Sequence, residues 1–216
     1  MKTILRILPA VSFAAVTVLG LPLLQAEDNP SGGEWPQWGR DASNNMYSPA
    51  TGLPIDFTSG EFNDAGEAEG AKQLKWVTEM GSQAYGTATV KDGRVFIGTY
   101  NAKPRLDSVT GGRGIVMCFA GASGELLWQL SVPKLAAGKV SDWEFLGICS
   151  SVIVEGKYGY VITNRGEVLC LDVYGMSDGN DGFQDEGKYM NCGLEKMNAV
   201  EPAELSDMTA DIVWGY

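Results

Sequence analysis

Asp178-Gly-Asn-Asp-Gly182 and the nearby Asp185-Glu186 gather hard oxygen donors in a short stretch. Carboxylates and a carboxamide spaced by glycine suit a calcium ion, so Asp178, Asn180, Asp181 and Asp185 are candidate ligands. The spacing departs from the calcium loop of helix–loop–helix proteins, because Phe183 stands where that loop needs glycine. The alternative is a solvated acidic loop. The chain has no histidine, which excludes Ser-His-Asp and Cys-His catalysis and every His-ligated metal. Catalysis would have to rest on carboxylates, Lys, Tyr, Cys or a bound cofactor. There are 4 cysteines and no short Cys-x-x-Cys pair. Cys118 and Cys170 sit in apolar, strand-like runs and read as small core residues, or else as a bridge between two sheets. Cys149 and Cys192 are the better disulfide candidates for an oxidising compartment.

The first 26 residues differ from the rest. Lys2 and Arg6 precede an apolar run from Ile7 to Leu24, and Ala26 stands before the acidic Glu27-Asp28. This is the form of a secretory leader cut after Ala26, and it implies a periplasmic or extracellular protein. A membrane anchor is the other reading, but Pro9 and Pro22 shorten the helix below the roughly 20 residues a span needs. Without Lys2 and Arg6 the chain keeps 14 basic side chains against 27 acidic ones, a net charge of −13. Such a surface repels phosphate backbones and anionic lipid, so nucleic acid is not an expected partner. No later stretch is long and apolar enough to span a membrane.

Any site must be positioned by strands. Gly accounts for 28 of 216 residues, which suits a turn-rich β protein. Residues 27–71 read as an N-terminal arm and long loop. Within it, Trp35-Pro-Gln-Trp-Gly-Arg-Asp41 is an arm lying on the domain or a stacking platform for a ligand. Leu74–Glu79, Ala84–Val90 and Arg94–Tyr100 alternate and read as strands, with a hairpin turn at Asp92-Gly93. Gly114–Phe119 and Glu125–Leu130 form the next hairpin. The first of these strands is apolar on both faces and is expected between layers. Trp143 lies in the connection that follows and is expected to pack over the sheets. The pattern then restarts with Cys149–Val154, Tyr158–Thr163 and Gly166–Val173. Its fourth strand is delayed to Asp211–Trp214 by an insertion spanning 174–210.

The restart is a repeat. Gly114 to Gly166, Cys118 to Cys170 and Trp76 to Trp128 are each 52 residues apart. Trp214 closes the second unit as Trp128 closes the first. Units of roughly 40–50 residues with four short strands are the signature of propeller blades, which bury their faces only by stacking. Arg113 and Arg165 precede the same strand in both units. They would line one end of a channel where a cofactor or peptide docks, or else stand in solvent as turn residues.

Gly114-Ile-Val-Met-Cys-Phe-Ala-Gly-Ala-Ser-Gly-Glu-Leu-Leu-Trp128 resembles the repeat of pyrroloquinoline-quinone-type propellers. Gly166-Glu-Val-Leu-Cys-Leu-Asp172 matches its strand part and carries the aspartate that the first unit replaces with Ala120. The resemblance covers residues 35–216. It implies an all-β fold of four-stranded antiparallel blades over 72–216, here about two of the seven or eight that close a ring. The chain would then be the N-terminal part of a longer protein. Two function classes follow. One is a non-catalytic scaffold of the cell envelope, related to propellers that help insert outer-membrane proteins, with protein or glycan ligands. The other is a quinoprotein dehydrogenase of alcohols or sugars using pyrroloquinoline quinone and Ca²⁺. The adjacent-cysteine disulfide of the alcohol-oxidising quinoproteins has no counterpart, since no two cysteines adjoin.

Overall fold

A computed structural model describes residues 33–64, 68–136, 143 and 145–216. The leader and most of the polar segment after it lie outside the described residues. Among the described residues the strands form three antiparallel sheets, one of them a two-stranded pair, β1 (Glu61–Phe62) with β2 (Ala68–Glu69).

The first large sheet is a meander of β3 (Thr89–Lys91), β4 (Arg94–Tyr100), β5 (Arg113–Ala120) and β6 (Leu126–Pro133), paired in chain order. Asp92 and Gly93 both take positive φ, 47° and 72°, the two-residue turn that matches strand twist. The second sheet repeats the plan with β7 (Ile153–Glu155), β8 (Tyr158–Ile162), β9 (Val168–Asp172) and β10 (Ile212–Gly215). Its first turn puts Gly156 at φ 57° between Glu155 and its register partner Tyr158.

Alternation along each strand decides the layers. Phe96, Val116, Cys118, Trp128, Leu130 and Val132 point from the first sheet into one core with Val154, Val161, Leu169, Leu171 and Ile212 of the second. The sheets approach closely at glycines. A Cβ on Gly98 would lie 2.2 Å from the Ile148 carbonyl oxygen, and one on Gly114 would lie 2.0 Å from Asn164 Oδ1. The opposite face of the first sheet is also covered. Ile115, Met117, Phe119 and Leu126 pack with Val109, Met190, Met80 and Met208. β5 is therefore buried on both faces, as its sequence requires.

Four local expectations need correction. Leu74–Glu79 forms no ladder, because no described strand runs beside it; alternate residues still turn inward, and Trp76 donates its indole N–H to the Gly121 carbonyl at 3.0 Å. Trp76 thus seals a turn of the first sheet rather than the outer strand of another. Ala84–Val90 pairs only from Thr89, opposite Phe96, and Cys149–Val154 only from Ile153, opposite Tyr160. Trp143 does not pack over the sheets: its side chain is exposed, and its carbonyl accepts from Lys134 Nζ at 2.7 Å.

The N-terminal arm lies on the domain at the edge strands β3 and β7. Trp35 exchanges both backbone hydrogen bonds with Val90 at 2.8 Å, and Val154 N–H donates to the Pro36 carbonyl at 2.8 Å. One short segment thus ties β3 to β7. Trp38 points out and is exposed.

The insertion folds back over the first sheet. It contains α1 (Glu186–Cys192), whose Tyr189 enters the inter-sheet core while Met190 enters the second core. Residues 208–210 then run parallel to β6, with Gln129 N–H donating to Met208 O at 2.9 Å and Ala210 N–H to Gln129 O at 3.0 Å. This occupies the edge of β6, which would otherwise offer unpaired backbone groups.

Candidate interaction face

The two sheets carry an equivalent cross-strand row. In the first it runs Thr89, Phe96, Cys118, Trp128. In the second it runs Ile153, Tyr160, Cys170, Trp214. The aromatic pairs match as well: Phe96 and Trp128 centroids lie 5.9 Å apart at 55°, and those of Tyr160 and Trp214 lie 6.2 Å apart at 47°. Their surroundings differ. Trp128 is 1% exposed, and its indole N–H donates to the Val173 carbonyl at 2.9 Å. Gly175 lies against the same ring, where a Cβ would come within 2.6 Å. Trp214 is 45% exposed.

The second sheet uses its other face, with Leu169, Leu171 and Ile212, to meet the first. Ile162, Val168 and Tyr216 extend the open face by a second row, since Ile162 pairs with Val168 and Tyr216 exchanges both backbone bonds with Val168. Ile153, Ile162, Trp214 and Tyr216 are all exposed. The result is an apolar sheet face with the residue pattern that, one sheet earlier, is sealed by a neighbour. Contiguous exposed apolar area of this kind marks an interaction surface.

The sequence-derived ligand residues go elsewhere. Asp181 Oδ2 pairs with Lys157 Nζ at 3.1 Å, Asp185 Oδ1 with Lys188 Nζ at 2.9 Å, and Asn180 Nδ2 donates to Glu186 Oε2 at 3.2 Å. Asp178 is exposed. Among the described residues no three His, Cys, Asp or Glu side chains converge on a metal position. Arg113 donates to the carbonyls of Thr110 and Met190, and Arg165 pairs with Glu167 at 3.2 Å and donates to Lys134 O at 3.3 Å. Both guanidinium groups are taken up by backbone carbonyls and, for Arg165, by Glu167. Among the described residues, the four residues read as calcium ligands are not brought together as a ligand set.

Cys149 and Cys192 are thiols, not a disulfide. Cys192 Sγ sits 3.3 Å from the Lys188 carbonyl on its own helix, and Cys149 Sγ lies 3.7 Å from Gly147 O. Cys118 and Cys170 are buried on the same side of successive sheets, so one faces the inter-sheet core and the other faces away; they do not bridge. Burial pushes the Cys118 thiol up to about 12 and raises that of Cys170. Alkylation of the native protein followed by mass spectrometry should therefore modify the exposed Cys149 first and leave Cys118 and Cys170 intact. Equal labelling of Cys118 would contradict the packing.

The sequence reading missed a buried carboxylate group beneath the insertion. Asp172, Glu186 and Asp211 are all buried. Asp211 Oδ2 accepts from Asp181 N–H at 2.9 Å, and Glu186 Oε1 accepts from Ile212 N–H at 3.3 Å. Lys157, held by Asp181 and Asp172, has its ammonium pKa raised. Burial raises Asp211, and the neighbouring Asp172, Asp181 and Asp178 charges add to this. A carboxyl raised on folding is protonated in the native state where the unfolded chain has already ionised. Stability from this group therefore falls as pH rises through that window. Asp211→Asn should be at least as stable as the parent in urea melts at pH 7–8, with its advantage gone by about pH 3, below the ordinary aspartate pKa of about 3.9, where the unfolded chain is also mostly protonated. The signal available beforehand was only an Asp at the strand end in each case, Asp172 and Asp211.

No protein-family model matches the chain, and no curated protein matches it. Among the described residues no helix is long and apolar enough to cross a membrane.

Proposed function

We propose that the protein is an exported, non-catalytic scaffold of the cell envelope, built of propeller-type sheets, whose open second face seats a further four-stranded sheet of the same kind. The observation that carries this is the repeated row: Phe96–Cys118–Trp128 is sealed by a neighbouring sheet, and Tyr160–Cys170–Trp214 has the same aromatic–cysteine–tryptophan register and a similar ring geometry without one. A head-to-tail contact of this sort does not close after two members; each addition leaves the same face open until a ring forms. The seated sheet would offer aliphatic side chains like Leu169 and Leu171 and a backbone carbonyl to the Trp214 indole, in the way Val173 serves Trp128. Export rests on the leader-like first 26 residues. Protein or glycan ligands would bind at the loops of the assembled ring.

A photo-crosslinking residue at position 214, in the protein exported by its own host, tests this. The expected product joins position 214 to a strand–turn–strand segment ending in tryptophan, while a control at position 181 gives none. Absence of that product would reject the seating. Reduction of a dye in the presence of alcohol or sugar, quinone and Ca²⁺ would reject the non-catalytic reading in favour of a dehydrogenase.

A further inference from the structure

Alternation along β6 places Gln129 and Ser131 on the face that elsewhere carries Met117, Phe119 and Leu126. Apolar side chains would complete that core. Instead, Gln129 is 2% exposed and Ser131 is 1% exposed, and neither Gln129 Nε2, Gln129 Oε1 nor Ser131 Oγ has a hydrogen-bond partner among the described residues. Buried donors and acceptors are rarely left so, because each forfeits its hydration without return. Both residues line a cleft of about 110 Å³ between β6, the loop before β5 and the end of the insertion. Leu106, Val109 and Met190 supply apolar wall, and the exposed Glu204 and Leu205 stand at its rim.

We propose that this cleft binds a neutral carboxamide. A primary amide offers one acceptor and two donors in a plane, the complement of the Gln129 side chain, and can reach Ser131 Oγ with its remaining hydrogen. A carboxylate is disfavoured: among the described residues no cationic side chain lines the cleft, Glu204 is beside it, and a buried anion needs a partner. An alcohol meets the glutamine's donor or acceptor but aligns poorly with both. The volume has room for roughly four water-sized groups, the four non-hydrogen atoms of acetamide. The carboxamide could be carried by an asparagine or glutamine side chain of a peptide or by a free small amide, and both share this recognition. The site lies on the face of the first sheet away from the second, so it stands independently of what seats on Trp214.

The test is a titration of the full chain with acetamide, with sodium acetate, and with N-acetyl-asparagine methylamide, followed by ¹H–¹⁵N NMR at the Gln129 side-chain amide and the Ser131 backbone. Saturable shifts are expected with the two amides and at least tenfold weaker binding with acetate. Tighter binding of the capped asparagine assigns the site to a peptide side chain; tighter binding of acetamide assigns it to a free amide. Gln129→Met, which keeps the volume and removes both polar atoms, should abolish the response. Ser131→Ala should weaken it several-fold and serves if the first variant does not fold. Shifts that never saturate, equal response to acetate, a response that survives Gln129→Met, or ordered water alone in the amide-soaked cleft would overturn the proposal.

Discussion

Trp128→Ala should lower the unfolding free energy by about 3–5 kcal/mol, the cost of truncating a fully buried aromatic, while Trp214→Ala should cost less than about 1 kcal/mol, as half-exposed side chains do. The two positions are equivalent in the repeat, so composition and register do not separate them. Their neighbours do. Removing Trp128 opens a cavity bounded by Phe96 and Gly175 and strands the Val173 carbonyl, which loses the indole donor. Removing Trp214 leaves Tyr160 with more solvent and vacates no enclosed space. Urea melts of both variants measure the contrast. Equal losses would mean that the open face is not open. If a further sheet seats on Trp214, as proposed, the two variants should become alike.

Tyr189→Ala should be comparably severe, again about 3–5 kcal/mol, the loss seen for large aromatics. The ring is wholly buried in the inter-sheet core, and its hydroxyl donates to Glu167 Oε2 at 2.9 Å. Burial, and then the Glu167 charge, raises the phenol, which keeps it a donor throughout the accessible pH range. Glu167 Oε1 also accepts from Leu194 N–H at 2.9 Å and pairs with Arg165. The phenol therefore anchors both the helix and the turn that follows it. Tyr189→Phe keeps the packing and should cost only about 1–3 kcal/mol for the hydrogen bond lost at Glu167 Oε2, which keeps the Thr163 hydroxyl at 3.5 Å. Proteolysis should cut Tyr189→Ala first within residues 193–207, because the insertion rests on the sheets mainly through α1 and the 208–210 segment. Cleavage first at the β3–β4 turn would contradict this.

Much of the sheet architecture was legible from two local signals. Period-two alternation with Asp92-Gly93 and Gly156 at turns defined the hairpins. The 52-residue spacing of Gly114 with Gly166 and Cys118 with Cys170 identified the repeat, and both cysteines do take the same place in their sheets. The illegible parts depend on partners distant in sequence. Leu74–Glu79 has the pattern of a strand, but a strand needs a neighbour with a free edge, and β-propensity carries no information about that. The insertion has polar, glycine-rich composition, so nothing local told Glu186 and Tyr189 from the solvated residues beside them; α1 buries them because the second sheet's delayed strand draws the segment across β6. Recurrence before the same strand suggested a shared channel for the two arginines; their nearest carbonyl acceptors are Met190 in the insertion for Arg113 and Lys134, just past β6, for Arg165. Gln129 and Ser131 alternate correctly with Trp128 and Leu130, and their polarity on a core-facing side was the readable clue.

Hydrogen exchange of the tryptophan indole N–H groups reads the repeated contact most directly. The Trp128 indole, bonded to Val173 O in a sealed core, should exchange only with global unfolding, and its rate should follow the stability of the protein across urea concentrations. The Trp214 indole should exchange orders of magnitude faster, independent of urea. Trp128 exchanging as fast as Trp214 would contradict the account, because the seal that distinguishes a covered sheet from an open one would then not exist.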